Sequence, residues 1–247
     1  MDTSYEALQS GYTQRLSHGF RAGASFTWSK ALSTGPGFIA SYANGETGVL
    51  EDPFNASLDK GLSPYNLVYN FTTNVTYDLP GPKSGLSNRI LGGWQTGGIF
   101  TTHPGTPFTV TTGFNNSRDG DTNAPDRPNV APNCTSSNII LGGPNTYFNA
   151  QCFTLPSAGY FGNAARNILN GPGFGDLDYT LHKAFTITER VKADFRGEIF
   201  NILNHSNFNL PSAAVFNSNG TYQASAGHVT STVTSSRQIQ IGLKLLF

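Results

Sequence analysis

Alternation of apolar and polar residues is the clearest pattern along this chain, and it predicts β-strands. In residues 237–247 every second side chain is apolar, which places the apolar side chains on one face of an extended strand and the polar ones on the other. The same period of two recurs in residues 3–16, 20–31, 66–79, 94–112, 176–185 and 191–200. Because Pro104 and Pro107 cannot donate to a strand ladder, we expect an interruption in the fourth of these stretches.

The connections between these strands alternate in length. The long ones are residues 32–64, 113–174 and 201–236, and the short ones are residues 17–19, 80–92 and 186–190. In an up-and-down antiparallel sheet alternate connections lie at opposite ends, so the long loops gather at one end and the short turns at the other. This asymmetry is typical of outer-membrane barrels, with short periplasmic turns and long external loops. A Greek-key sandwich has no reason to produce it.

Composition supports strands and polar loops without indicating a charged partner. Charged residues make up 12% and hydrophobic residues 37% of the 247 residues, and the formal net charge is zero. A neutral chain gives no electrostatic reason to expect nucleic acid as a partner. No segment approaches the roughly 18 consecutive apolar residues of a transmembrane helix, but barrel strands do not need such a segment. The first residues lack the features of a signal peptide, so we expect the chain to be a fragment of a longer exported protein.

These patterns predict an all-β fold, an antiparallel up-and-down transmembrane β-barrel segment of about eight strands. The apolar faces would contact lipid and the other faces would line the lumen. In the second strand the lumen-facing side chains are Gly23, Ser25, Thr27 and Ser29, which are too small to fill a narrow barrel. A wide lumen, and hence more strands than this chain supplies, is therefore expected.

Three acidic residues in the longest loop have a spacing reminiscent of a calcium loop, in which carboxylates converge on one hard cation. They are Asp119, Asp121 and Asp126. The segment lacks the glycine and distal glutamate of an EF-hand, and a solvated acidic loop is the alternative. No cofactor is predicted other than this candidate Ca²⁺.

The two cysteines, Cys134 and Cys152, both lie in the same long loop. In an oxidising compartment a disulfide between them would close a loop of about 19 residues and stabilise it by roughly 3 kcal/mol. Two unrelated thiols are the alternative.

A ladder of charges of alternating sign follows the lumen-facing side of the sixth strand and comprises Lys192, Asp194, Arg196 and Glu198. It could line a solute path, but we favour ion pairs with neighbouring strands or with a plug. The histidines are scattered and no nucleophile lies in a recognisable elbow, so we do not expect an enzyme.

Several short motifs, in order along the whole chain, resemble the C-terminal barrel part of Oar-like TonB-dependent receptors. They are FTWSK at 26–30, LGGWQ at 91–95, PFTV at 107–110, FGNAARN at 161–167, GPG at 171–173, ITER at 187–190, FNILNH at 200–205 and the ending at 237–247. The resemblance implies an outer-membrane barrel of about 22 strands with an N-terminal plug that takes energy from TonB. Neither the plug nor a TonB-binding region is recognisable, so residues 1–247 would be the C-terminal portion of the barrel.

The resemblance also implies roles and partners. Leu243, Leu245 and Phe247 would belong to the signal that the barrel-assembly machinery reads. Partners would be outer-membrane lipid, that machinery, TonB through the N-terminal region, and a bulky solute. Two other interpretations stay open: a self-contained eight-stranded barrel with a structural or adhesive role, and a secreted β-sandwich that binds carbohydrate through aromatics such as Trp28 and Trp94.

Overall fold

An antiparallel sheet of eight strands dominates the computed structural model, which describes residues 2–35, 50–82, 84–120 and 126–247. Seven strands are long and pair side by side in chain order: β1 Thr3–Ser17, β2 Phe20–Ser33, β4 Tyr69–Asp78, β5 Trp94–His103, β12 Phe174–Thr186, β13 Lys192–Phe200 and β14 Gln238–Leu246. The eighth, β3 (Gly61–Leu62), pairs with the end of β2. The predicted all-β antiparallel architecture of about eight strands is thus confirmed.

The remaining elements are short and lie in the connections. The strands are β6 Pro107–Phe108, β7 Asn129–Val130, β8 Ile140–Gly143, β9 Thr146–Phe148, β10 Phe153–Thr154 and β11 Leu169–Asn170. The helices are α1 Gly85–Leu91 and α2 Ser136–Ile139, with single 3₁₀ turns at Ala56–Asp59 and Ala150–Cys152. Within the described residues, no helix has both the length and the apolar character to cross a membrane. The fourth predicted strand ends at His103 rather than Thr112, since Pro104 follows directly.

Cross-strand register places the apolar side chains on one face of the sheet, here called the apolar face. Phe26 lies opposite Phe71 in β4, and Leu243 lies opposite Phe195 in β13. The opposite, polar face carries Gly23, Ser25, Thr27 and Ser29 of β2 and the charged positions of β13. Phe26 and Leu243 are 39% and 67% exposed, so the apolar face is not the inside of a closed globule.

The long connections meet at one end of the sheet, the loop end, and the short connections lie at the opposite turn end. Thr3 pairs with Ser33, and Phe174 pairs with His103, at the loop end. There residues 104–120, 126–173 and 201–237 pack into a compact body, here called the loop unit. Its core consists of Phe108, Val110, Ile139, Tyr147, Phe148, Cys152, Phe153, Leu169, Val215 and Phe216.

The two outer strands of the sheet, β1 and β14, do not pair with each other, and both lie wholly within the described residues. Every residue of β14 is exposed, and so is nearly every residue of β1. The sheet is therefore open, with an unpaired row of backbone amide and carbonyl groups along each edge.

Candidate functional site

The polar face and the loop unit above it form the candidate site. Small and polar side chains line the middle of this face in β2 and β4, and in β5 Gly97 and Thr101 flank Ile99, which is 52% exposed. The charged side chains concentrate on β13, where Lys192, Asp194, Arg196 and Glu198 share the polar face as the alternation predicts. Charged groups in such numbers are stable only beside water or beside other polar groups.

Asp194 pairs with the neighbouring strand. Its carboxylate Oδ2 lies 2.9 Å from Nε2 of His182 in β12, and the two side chains are each about one-third exposed. Arg196 and Glu198 approach each other more loosely, at 3.9 Å between Nη1 and Oε1. The β13 ladder is thus linked to β12, and the exposed Lys192 and Arg196 still point at the space in front of the polar face.

A short two-stranded ribbon of the loop unit lies next to the ends of β5 and β12. β6 pairs with β11, and the amide of Gly171 donates to the carbonyl oxygen of Thr106 at 2.9 Å. Gly105 and Gly171 approach so closely at the base that a Cβ atom on Gly105 would collide with the Gly171 carbonyl group. Glycine at position 105 therefore allows the segment that leaves β5 and the segment that returns to β12 to run side by side.

Arg127 connects the loop unit to the connection that follows β2. Its Nη1 donates to Oδ1 of Asp59 at 2.6 Å, and its Nη2 forms an ion pair with Glu51. The backbone amide of Arg127 also donates to Oε1 of Glu51 at 2.8 Å. All three charged side chains are about 95% buried, so the contacts are shielded from solvent.

Burial raises the pKa of Glu51 to about 7, although the positive charge of Arg127 and the hydrogen bond from its backbone amide act in the opposite direction. Desolvation disfavours the ionised carboxylate, and the nearby carboxylates of Asp59 and Asp126 add to that effect. Glu51 is therefore a group in the loop-end contacts whose charge changes near neutral pH.

Arg166 and Asn167 make a second connection between the loop unit and the sheet. Nη1 of Arg166 donates to the carbonyl oxygen and to Oγ of Ser33, at 3.1 and 2.9 Å, and to the carbonyl oxygen of Asp59 at 3.1 Å. Nδ2 of Asn167 donates to the carbonyl oxygen of Leu62 at 2.7 Å. The FGNAARN motif thus contains the two residues that fix the loop unit onto the end of β2 and β3.

Two of the three acidic residues considered for Ca²⁺, Asp119 and Asp126, lie within the described residues, and each accepts hydrogen bonds there. Asp126 is buried and accepts hydrogen bonds from the backbone amides of Asn116 and Ser117, both at 2.5 Å, so it holds the loop itself. Asp119 is exposed and accepts a hydrogen bond from Nδ2 of Asn115 at 2.8 Å. Asp121 lies outside the described residues. In the described part of the chain, no group of three or more His, Cys, Asp or Glu side chains could hold a metal ion.

Cys134 and Cys152 form a disulfide with 5.5 Å between their Cα atoms, and Cys152 lies in the core of the loop unit while Cys134 packs against that core. The residues considered for an assembly signal, Leu243, Leu245 and Phe247, all belong to the exposed apolar side of the last strand region.

Sequence reasoning missed Glu51, Asp59 and Arg127, because isolated charges in a loop have no periodicity that reveals a partner. Arg166 and Asn167 could have been singled out from the sequence, because both belong to the FGNAARN motif at 161–167.

Comparison with known proteins gives one family. The model of the family described as "Outer membrane beta barrel domain" matches residues 1–240. A search of curated proteins found no match.

Proposed function

Because the chain belongs to the outer membrane beta barrel domain family, we propose that it forms part of the wall and the external end of a larger TonB-dependent receptor that takes up a bulky solute. The family places the chain in a barrel in the bacterial outer membrane. Its apolar face contacts lipid, its loop end is external and its turn end is periplasmic. What we propose beyond this location is that the barrel takes up a bulky solute with energy supplied by TonB.

The open sheet is the observation that carries this proposal. In hydrocarbon every backbone amide and carbonyl group needs an internal partner, so the free edges of β1 and β14 require further strands. Closing these strands on each other would give a narrow barrel, which side chains must fill. The small residues on the polar face of β2 are unsuited to that filling. They suit a wide lumen that holds water or a plug.

The loop unit supports the same proposal from the external side. A buried core, a disulfide and two buried arginines hold it in one arrangement at the mouth of the barrel. Exposed aromatic side chains such as Phe54 and Tyr160, 99% and 69% exposed, are placed to contact a large solute there. A preformed surface of this kind binds at a lower entropic cost than flexible loops would.

The partners that this function requires are lipid, the barrel-assembly machinery, TonB through an N-terminal plug region, and the solute. We expect no enzymatic activity and no nucleic-acid binding.

Protein size and energy dependence test the proposal together. An antibody against the loop closed by Cys134 and Cys152 should detect, in outer membranes of the source bacterium, a polypeptide much larger than 26.4 kDa. Deleting the gene should abolish growth on at least one bulky nutrient from a panel, and deleting TonB should reproduce that loss. A band at 26.4 kDa alone would instead support a self-contained barrel, and growth defects independent of TonB would contradict energised uptake.

A further inference from the structure

The connection between β4 and β5 differs from the other connections at the turn end. The β1–β2 and β12–β13 connections occupy residues 18–19 and 187–191, whereas this one extends over residues 79–93 and contains the seven-residue helix α1. A barrel turn needs no helix to reverse the chain, so the position of α1 calls for a physical explanation.

Contacts with Lys183 fix the last turn of α1 over the apolar face. Lys183 lies directly opposite Trp94, and both side chains are on that face. Nζ of Lys183 donates to the carbonyl oxygens of Arg89 and Ile90, both at 2.8 Å. Nε1 of Trp94 donates to the same Ile90 oxygen at 2.9 Å. The helix therefore lies against the lipid-facing outside of the barrel and not beneath its lumen.

The environment of Lys183 explains how a cation is accommodated on a lipid-facing strand. Lys183 is 3% exposed, and its Nζ lies 4.8 Å from the ring centre of Phe185 and 5.2 Å from that of Trp94. Aromatic faces and the carbonyl groups at a helix C-terminus both attract a cation. The ammonium group thus binds α1 to the barrel wall and is shielded from hydrocarbon at the same time.

The same helical turn presents large apolar side chains outward. Ile90 and Leu91 are 60% and 61% exposed. They adjoin an aromatic cluster on the apolar face, in which Trp94 packs edge-on against Phe185 and Phe195 at 6.3 and 5.8 Å between ring centres. The exposed apolar surface of α1 is therefore continuous with the lipid-contacting surface of the sheet.

We propose that α1 is an interfacial helix that inserts Ile90 and Leu91 among the acyl chains of the periplasmic leaflet. Lys183 is the positioning residue that holds the helix at this depth, and the exposed Arg89 lies at the level of the phospholipid headgroups. The inference depends on the outer-membrane location and not on the proposed transport function, so either can fail without the other.

Site-directed spin labelling of the whole chain tests this placement. Both natural cysteines are in the disulfide, so a single introduced cysteine can be labelled selectively. The labelled positions are Ile90→Cys and Leu91→Cys, with Leu243→Cys as the lipid reference, Asn219→Cys as the water reference and Arg89→Cys on the opposite side of α1. The protein is measured in phosphatidylethanolamine–phosphatidylglycerol vesicles in which the Leu243 label is accessible to oxygen and protected from a water-soluble nickel chelate.

Labels at 90 and 91 are expected to favour oxygen over the nickel chelate severalfold, as at 243, and the labels at 89 and 219 are expected to favour the chelate. If the chelate reached the labels at 90 and 91 as readily as the label at 219, α1 would lie in water and the proposal would be overturned. Protection of 90 and 91 from both reagents would show a protein partner or a second copy over the helix and would also overturn it.

A second variant tests the role of Lys183. In Lys183→Met the label at 91 should become more mobile and lose its preference for oxygen, while the label at 243 keeps its own preference as a control for folding. An unchanged label at 91 in this background would remove Lys183 from the proposal.

Discussion

At the scale of single residues, Arg127 is the side chain whose loss should damage the loop unit most. Arg127→Met would leave Glu51 and Asp59 buried without their cation, and removing one partner of a buried ion pair costs about 3 kcal/mol or more. We expect the Cys134–Cys152 disulfide, whose Cys152 lies in the core of this unit, to be reduced by a phosphine at least a hundredfold faster in this variant than in the native protein. Arg190→Met, which changes an exposed arginine at the turn end, should leave the rate unchanged and serves as the control.

Glu51 should make the loop unit sensitive to pH. Its pKa is about 7 in the folded protein and 4.5 ordinarily, so the folded state binds the proton more tightly. This contribution to stability is fully present below pH 4.5 and is lost as the pH rises through about 7, with a total on the order of 3 kcal/mol.

We therefore expect faster reduction of the disulfide at pH 8 than at pH 5.5, after each rate is divided by that of the denatured chain. Glu51→Gln should remove most of this difference. If the reduction rate depended on pH equally in Glu51→Gln and in the native protein, a group other than Glu51 would be responsible for the pH dependence.

The spacing of acidic residues in a sequence does not reveal which partners their carboxylates bind. The spacing of Asp119, Asp121 and Asp126 is compatible with a cation, but Asp126 is used to accept backbone hydrogen bonds within its own loop. A carboxylate that binds a cation and one that binds amide groups have the same local sequence. Only the path of the chain distinguishes them.

At the scale of elements, the two faces of β14 should respond differently to the same new charge. Leu243→Arg places a cation on the lipid-facing side, which costs about 2–4 kcal/mol near the middle of the bilayer. Gln240→Arg adds the same group to the polar face and should lower the free energy of unfolding by less than about 1 kcal/mol. Equilibrium unfolding by denaturant in phospholipid vesicles measures both values, and equal losses would contradict the assignment of faces.

Periodicity was sufficient to find the long strands and insufficient for the short elements. Stretches of nine or more alternating residues, as in β4, β13 and β14, predict strands whose ends agree with the structure to within a few residues. The two- to four-residue strands of the loop unit repeat too few times for any period to be visible. Lys183 interrupts the apolar alternation of β12, and its explanation lies in α1, which is distant in sequence.

At the scale of the whole molecule, Phe247 should govern assembly more than stability. Phe247 is 95% exposed, so its removal deletes little packing. We expect deletion of Phe247 to reduce the amount of protein recovered in the outer-membrane fraction severalfold and to increase its degradation in the periplasm. Phe247→Tyr should retain most of the recovery, and normal assembly of the deletion variant would exclude a role for this residue in the signal.

The alternation of connection lengths predicted the topology, because it depends only on where the strands lie along the chain. The position of the hydrophobic core was not predictable in the same way. Phe108, Phe148 and Val215 are far apart in sequence, in segments without periodicity, and they meet only because the loop end gathers the long connections.

The shared core of the loop unit has a consequence for how its segments can move. Because segments 104–173 and 201–237 contribute to one set of buried phenylalanines, no single segment can swing aside without exposing the residues that the others cover. Any displacement would have to move all of these segments together. The loop unit is therefore expected to keep one rigid shape at the loop end, where Arg127 and Arg166 hold it.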